Sequence, residues 1–440
     1  MSDSDQVSEE SPAETDAPAL DRHLTLVPAV ALAVTTVVGG GVLALPGVAL
    51  RQAGSAAILG WLLAGVITVP LLVVFAQLGA RYPSAGGVAG FVQAAFGRHA
   101  AAGVEVMLIG TFGLGIPAIS LSGGSYLAAI FGWDSTWAWI GATLLLLLAG
   151  GVLLSGGSVS AKIQTVLAAV LTIGLAATGI IGLTNSHAHF TVPEVSATSA
   201  SLALAVVGTV FFGFTGWEMV AFTTGEYRNP RRDFPRVVAI SFLIVMGVYV
   251  LLAAGVQATL SPDNPAVETS PVAELMRIAL SSTAASLVAV LAVVILATNL
   301  IGAVWGASRL IFSSASEKLL PRPLAVLSGR RRTPRTAIFT SIALFVIVVG
   351  LSGLDVLSPT TMFMIAGQNF FLLYLLSAIV FVRVTTSLRM RAFGVGVAVT
   401  LAAVVIAGFS MGTVAYAAVL FALGATLSVA THRRAEPFRS

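Results

Sequence analysis

The sequence predicts an all-α polytopic membrane protein with about 12 transmembrane helices. Of its 440 residues, 57% are hydrophobic and only 10% are charged, and the mean hydropathy is +0.96. A soluble domain is about 25% charged, so a chain this apolar requires lipid as its solvent. Apolar stretches of roughly 20 residues, the length that spans a bilayer core, recur along the whole chain.

Twelve apolar stretches reach this length. They lie near residues 25–50, 56–79, 98–130, 136–155, 161–183, 201–224, 236–260, 279–312, 335–353, 359–382, 392–409 and 412–430. Almost nothing separates the last two stretches, so eleven spans are the alternative. The chain contains no cysteine and its five histidines are scattered, so neither a metal site nor a cofactor is expected.

The basic residues indicate how the spans are oriented. With the amino terminus in the cytoplasm, 21 of the 23 lysine and arginine residues lie on the cytoplasmic side, and only Arg51 and Arg277 lie outside. This asymmetry follows the positive-inside rule with both termini cytoplasmic. The basic residues therefore set topology, and no nucleic-acid partner is expected.

Two spans are interrupted by glycine, at Gly39-Gly40-Gly41 in the first span and at Gly213 and Gly216 in the sixth. Backbone groups freed by such breaks persist in a membrane only where they are buried in protein or line a cavity. Broken helices at corresponding places in two halves of a chain indicate a substrate site at the bilayer midplane. The alternative is that the glycines only permit close helix packing.

The offset of five helices between the breaks predicts two inverted repeats. Residues 24–183 form the first repeat (helices 1–5) and residues 184–383 the second (helices 6–10), followed by two extra helices over residues 384–431. Residues 1–23 hold seven acidic residues and a single arginine and are predicted to be a disordered acidic cytoplasmic tail. Residues 432–440 form a second cytoplasmic tail.

The chemistry of the breaks favours a zwitterionic ligand. The N–H groups after the first break head a half-helix whose dipole is positive at that end, which suits a carboxylate. Freed carbonyl oxygens can accept hydrogen bonds from an ammonium group. Both groups together describe an α-amino acid. A phosphate-binding loop is excluded because no lysine follows the glycines.

Several motifs resemble those of the amino acid–polyamine–organocation (APC) superfamily. They are residues 39–47 (Gly-Gly-Gly-Val-Leu-Ala-Leu-Pro-Gly), 81–87 (Arg-Tyr-Pro-Ser-Ala-Gly-Gly), 211–218 (Phe-Phe-Gly-Phe-Thr-Gly-Trp-Glu), 229–235 (Asn-Pro-Arg-Arg-Asp-Phe-Pro), 307–310 (Ala-Ser-Arg-Leu) and 319–321 (Leu-Leu-Pro). They stand in the family's order over most of residues 25–325. The second and fourth motifs most resemble those of bacterial exporters of methionine and branched-chain amino acids.

This resemblance implies a LeuT-like fold with five-plus-five inverted repeats, alternating access and a bacterial-type plasma (inner) membrane location. It also implies that the backbone around Gly39, Gly40 and Gly41 binds the substrate carboxylate. The backbone carbonyl groups of residues in the sixth span would bind the amino group; these are Phe211, Gly213 and Thr215.

The aromatic residues of the sixth span form the predicted side-chain pocket. Phe212 matches the position where some members of the superfamily place an aromatic lid over the substrate. Together with Phe214 and Trp217 it would suit an apolar side chain. The alternative is that some of these rings simply pack between helices.

Ionisable residues within membrane spans are functional candidates. Glu218, two residues past the sixth-helix break, is either a proton carrier or a structural carboxylate that caps freed N–H groups. Glu105 is expected to pair with a cytoplasmic arginine. Asn299 is expected to pack between helices, with an ion site as the alternative. Residues 163–183 contain no charged residue, so the lysine of the fifth helix that replaces a sodium ion in some family members is not predicted here.

The function predicted from these features is secondary transport of neutral, apolar amino acids, by a proton-coupled exporter. Uptake, exchange, and a non-transporting sensor on the same scaffold are the alternatives. An enzyme is not expected, because the spans offer too few convergent His, Asp or Glu residues. The sequence indicates no particular oligomeric state.

Overall fold

Long apolar helices build the fold. The computed structural model describes residues 25–81, 87–155, 161–194, 196–217, 230–328 and 333–433. In chain order, the helices are α1 (Leu26–Val37), α2 (Gly40–Ala53), α3 (Ala57–Arg81), α4 (Gly87–Phe96), α5 (Arg98–Phe131), α6 (Ala138–Leu154), α7 (Ala161–Thr184), α8 (Ala197–Val210), α9 (Pro230–Thr259), α10 (Pro271–Ala279), α11 (Ser282–Ser316), α12 (Arg335–Gly353), α13 (Pro359–Val384), α14 (Leu388–Gly408) and α15 (Met411–Arg433).

The helices coincide with the predicted spans. Within the described residues, nine helical segments are long and apolar enough to cross a membrane, and the shorter apolar helices are Leu26–Val37, Ala138–Leu154 and Ala168–Thr184. The first long segment, Gly41–Gly79, joins α2 to α3, and α1 and α2 are the two halves of the first span. These segments therefore account for all twelve predicted stretches. The short helices α4 and α10, which were not predicted from the sequence, lie between spans.

Serine and threonine hydroxyls satisfy backbone groups that lipid cannot. Ser281 caps α11 by accepting a hydrogen bond from the Ala284 N–H at 3.2 Å, and Ser358 caps α13 through the Thr361 N–H at 3.1 Å. Inside the spans, hydroxyls such as that of Thr111 donate to the carbonyl group four residues earlier. A polar side chain with such a partner avoids the cost of an unpaired group in hydrocarbon.

Small residues bring helices into close contact. Helices α7 and α9 cross where Gly179 and Gly182 meet Gly255: a methyl group added to Gly255 would lie 3.0 Å from the Gly179 Cα. The long helix α5 packs against α6, α11, α13 and α15. Membrane helices lack a hydrophobic drive to associate with one another, so close packing of this kind holds the bundle together.

A charged cluster joins the start of α5 to the end of α11. The guanidinium group of Arg98 donates to Glu105 at 2.8 Å and also contacts Glu317. The second carboxylate oxygen of Glu105 accepts a hydrogen bond from the fully buried Ser314 at 2.8 Å. Glu105 is thus paired with an arginine, as expected from the sequence, and it is a structural residue of this contact.

Glu317, just past the end of α11, predicts a small pH effect on stability. Its partial burial and the neighbouring Glu105 carboxylate raise the pKa of Glu317, and these effects outweigh the attraction of Arg98. Because the folded-state pKa lies above the unfolded value, ionised Glu317 opposes folding above that pKa, and the effect fades as the pH falls to the unfolded value.

We therefore expect Glu317→Gln to raise the free energy of unfolding near neutral pH, by less than about 0.5 kcal/mol because the side chain is substantially exposed. The gain should vanish as the pH falls below the unfolded-state pKa. Thermal unfolding of detergent-solubilised protein at several pH values measures this effect. A gain that is the same at every pH would contradict the assignment.

Candidate functional site

The first span breaks where α1 ends and α2 begins. Val38 and Gly39 lie outside both helices, and Gly39 has an extended backbone conformation (φ −103°, ψ −150°) as the residue that precedes α2. The Gly39 N–H donates to the Val37 carbonyl oxygen at 2.8 Å. The first N–H groups of α2, starting at Gly40, have no carbonyl partner within the helix. The break thus presents a helix amino terminus inside the bundle.

The sixth span breaks after a short 3₁₀ turn, Phe211–Phe214, that follows α8. Thr215 is extended, and Gly216 has a positive φ of +109° that side chains other than glycine rarely adopt. A methyl group added to Gly216 would lie 3.2 Å from the Thr36 carbonyl oxygen. The second break therefore packs directly on the last turn of α1.

The two breaks face each other. A methyl group placed on Gly41 would lie 3.2 Å from the Gly213 Cα and 3.5 Å from the Gly213 nitrogen. The backbone of the first turn of α2 touches that of the 3₁₀ turn because neither residue has a side chain at this point. The glycines of the two spans therefore build one site, in which the amino end of α2 lies beside the 3₁₀ turn.

A tyrosine of α9 bridges both breaks. The Tyr249 hydroxyl lies 3.0 Å from the Val37 carbonyl oxygen and 2.7 Å from the Gly213 carbonyl oxygen, and the side chain is fully buried. The single hydroxyl proton is shared between these two acceptors. Tyr249 therefore links the end of α1 to the second break. This residue was not predicted from the sequence. The signal that could have found it is a tyrosine within the otherwise apolar run of the seventh span.

The carbonyl groups of the second break are not equally free. The Phe212 carbonyl oxygen accepts hydrogen bonds from the Thr215 hydroxyl at 2.8 Å and from the Thr215 N–H at 3.2 Å. The Gly213 carbonyl already has Tyr249 as a donor, but a carbonyl oxygen has a second lone pair. The Thr215 side chain therefore holds the turn in shape and is not itself an open ligand.

Phe212 lies in an apolar, aromatic environment. Its ring centroid is 5.2 Å from that of Phe363 and 6.1 Å from that of Phe370, both on α13. On the other side, a methyl group added to Gly115 of α5 would lie 2.7 Å from the ring. The ring thus fills the space between α5 and α13.

The other rings of this segment pack between helices. Phe214 is fully buried, with its centroid 5.9 Å from Trp61 and 5.2 Å from Tyr249. Phe214 therefore packs between helices, which is the alternative that the sequence left open for these rings. Trp217 is buried beside Phe242 of α9, and its indole N–H has no hydrogen-bond partner among the described residues. Phe211 packs against Phe371 of α13, at 4.7 Å between centroids.

The structure describes one of the two polar residues that the sequence indicates near the breaks, Asn299, but not the other, Glu218. Glu218 lies outside the described residues. Asn299 of α11 lies directly against Gly39: a methyl group on Gly39 would be 2.5 Å from its Nδ2 and 2.9 Å from its Oδ1. The structure thus places Asn299 at the first break.

Comparison with known proteins decides the family. A family model described as amino acid permease matches residues 24–432 of the chain. The chain belongs to the amino acid permease family. The resemblance inferred from the motifs is thereby confirmed, and the permease is a transporter of amino acids rather than an enzyme.

The permease is similar to several curated transporters. It is 28% identical over 358 residues to the serine/threonine exchanger SteT of Bacillus subtilis. The aligned region covers 79% of the permease and 80% of SteT. It is 34% identical over 233 residues to the L-methionine/branched-chain amino acid exporter YjeH of Escherichia coli, covering 52% of the permease and 55% of YjeH.

A solved structure confirms the fold of the permease. A crystal structure of MhsT in complex with L-phenylalanine matches with a TM-score of 0.64 at 14% sequence identity. The match covers 88% of the permease and all of the MhsT chain. The LeuT-like, all-helical membrane fold predicted from the sequence is therefore correct.

Proposed function

We propose that the permease transports neutral, apolar amino acids of the methionine and branched-chain type by alternating access, as a proton-coupled exporter. The observation that carries this proposal is the contact between Gly41 and Gly213, because it brings the amino terminus of α2 next to the 3₁₀ turn of the second break. A carboxylate and an ammonium group on adjacent atoms of one ligand fit that pair of surfaces.

The backbone supplies the ligands for the substrate's charged groups. The N–H groups of Gly40 and Gly41 head α2 and would bind the carboxylate. The carbonyl groups of Phe211, Gly213 and Thr215 would accept hydrogen bonds from the ammonium group. Backbone groups of this kind recognise what all amino acids share, so selectivity has to come from the side-chain pocket.

The surroundings of Phe212 support a neutral, apolar side chain as substrate. Its neighbours are Phe363, Phe370 and the backbone of Gly115. Such a wall offers dispersion contacts but no partner for a charge, and an unpaired buried charge is costly. Trp217, buried beside Phe242 of α9, remains part of the proposed pocket.

Direction and membrane context are part of the proposal. Both termini are cytoplasmic in a plasma membrane of bacterial type, with residues 24–183 and 184–383 as the two inverted repeats. Export is supported by the similarity to YjeH, whereas the similarity to SteT supports exchange as the alternative. Alternating access runs in either direction, and the gradient sets the net flux.

We expect Glu218→Gln to weaken the pH dependence of transport while leaving substrate binding measurable. Glu218 follows the break by two positions in the sequence, and a carboxyl group carries a proton through a transport cycle only if it can ionise. Transport into proteoliposomes with and without a pH gradient measures the effect. The exposed loop residue Glu194 provides the control as Glu194→Gln. Unchanged transport with unchanged pH dependence would remove the proton role of Glu218.

Counterflow tests the substrate class. Proteoliposomes are loaded with unlabelled methionine, leucine, arginine or a polyamine, and uptake of the matching labelled compound is followed. Uptake with methionine and leucine alone is the expected result. Uptake of arginine or polyamine would contradict the neutral pocket, and no uptake with any compound would overturn the substrate class.

A further inference from the structure

We propose that the side-chain amide of Asn299 is a donor to the substrate carboxylate and thereby determines that the permease accepts α-amino acids with a free carboxylate. The inference rests on the proposed function, since it requires that an amino acid binds between the two breaks. It adds a side chain from α11 to a site that otherwise consists of backbone from the first and sixth spans.

The position of Asn299 is fixed by its contact with Gly39. Both polar atoms of its amide lie within 3 Å of a methyl group that would replace a Gly39 hydrogen atom. Asn299 is half-buried, whereas its helix neighbours Leu296 and Leu300 are fully buried. Its amide has no hydrogen-bond partner among the described residues. A polar group in the middle of a membrane helix is costly when it is left unpaired, and a substrate bound at the break would supply the partner.

The hydrogen bonding of the first break shows what the amide supplies. The Gly39 N–H, predicted to bind the carboxylate, already donates to the Val37 carbonyl at 2.8 Å. Gly39 precedes α2 and has no side chain with which to cap it. The Asn299 amide lies against Gly39 and can donate an N–H in place of the occupied Gly39 N–H. Together with the N–H groups of Gly40 and Gly41, it completes a set of donors around one anion.

Charge distinguishes the two ways in which the amide could act. A donor next to the positive end of α2 supports an anion, and hydrogen bonds to a charged acceptor are stronger than neutral ones. If the amide instead presented its oxygen to the substrate ammonium group or to a cation, a carboxylate at this position would improve binding. Asn299→Asp keeps the size of the side chain and therefore separates the two cases.

The experiment measures binding of L-leucine and L-methionine to detergent-solubilised permease by titration calorimetry, with counterflow in proteoliposomes as the second readout. We expect Asn299→Asp to weaken binding by about 10- to 100-fold at pH 7, because a charge-assisted hydrogen bond is replaced by repulsion. Binding should recover partly as the pH falls toward the ordinary Asp pKa of about 3.9. Asn299→Ser, which retains a small donor, should bind more tightly than Asn299→Leu.

The control is the neighbouring Thr298, whose hydroxyl donates to the Val294 carbonyl of its own helix at 2.8 Å. Thr298→Val should leave binding unchanged. L-methionine methyl ester, which lacks the carboxylate, should inhibit wild type poorly and should lose no further affinity in Asn299→Leu. A thermal unfolding midpoint within a few degrees of wild type establishes that each variant is folded.

Two results would overturn the inference. Tighter or unchanged binding by Asn299→Asp would show that the amide does not donate to the carboxylate. If Asn299→Leu lowered the affinities for the methyl ester and for the amino acid equally, Asn299 would have a role in packing alone. The wild-type titration separates a failure of this inference from a failure of the proposed function. If wild type binds neither amino acid, the proposed function fails, and the inference fails with it. If wild type binds but the Asn299 variants behave as in either result above, only the inference fails.

Discussion

We expect the Gly41→Val variant to lose transport while still folding into the membrane. A side chain at this position would enter the contact between the two breaks, since even a methyl group would lie 3.0 Å from the Leu45 Cδ1 and 3.2 Å from the Gly213 Cα. Leu45 can move, but the Gly213 backbone cannot retreat without opening the second break. A displacement of about 1 Å at a binding site can cost about 100-fold in rate.

Counterflow of leucine into proteoliposomes measures this loss for Gly41→Val and Gly41→Ala. The alanine variant should be intermediate, because its single methyl group requires a shift of only a few tenths of an ångström. Gly247 of α9 provides a matched control, since a methyl group added there meets nothing within 4 Å. Gly247→Ala should transport as wild type does. Full activity of Gly41→Val would show that substrate does not pass between the two breaks.

Tyr249→Phe has the second largest expected effect. The substitution removes the single hydroxyl that lies within 3.0 Å of the carbonyl oxygens of Val37 and Gly213. The ring and its contacts with Trp61 and Phe214 remain, because phenylalanine has the same shape. The Val37 carbonyl keeps the Gly39 N–H as a donor, but the buried Gly213 carbonyl loses its Tyr249 donor, and such a loss costs about 1–3 kcal/mol. We therefore expect a lower unfolding midpoint and a higher KM for the substrate, since the Gly213 carbonyl loses its fixed direction.

The matched control for this prediction is Tyr416→Phe. The Tyr416 hydroxyl also donates to a backbone carbonyl, that of Gly110, but at 3.3 Å and at the contact between α15 and α5. This variant should shift KM by less than twofold, or about 0.4 kcal/mol. A Tyr249→Phe variant that retains wild-type KM and stability would show that the hydroxyl does not hold the two breaks together. Substrate titrations and thermal scans on both variants provide the comparison.

The candidate site could be predicted only in part. The glycines of both breaks stand out in the sequence because glycine weakens a helix, and the structure brings Gly41 and Gly213 into contact. The aromatic residues were harder to interpret, since a phenylalanine that lines a pocket and one that packs between helices look alike in sequence. Phe212 lies beside the breaks, whereas Phe214 is enclosed by Trp61 and Tyr249.

The sequence by itself determined the membrane spans, their number and the position of the breaks. These are local properties: lipid as solvent demands about 20 apolar residues per span, and glycine loosens a helix wherever it stands. The family followed from the same local motifs. Their meaning does not depend on which helices come to be neighbours.

Only the tertiary structure decided which side chains lie at the two breaks. Tyr249 reaches the Val37 carbonyl across 212 residues of chain and the Gly213 carbonyl across 36. Asn299 lies against Gly39 although 260 positions separate them in the sequence. No periodicity encodes such contacts, because they depend on the angle and depth at which α9 and α11 pack against the broken helices. The unpaired amide and the shared hydroxyl become visible only once those helices are in place.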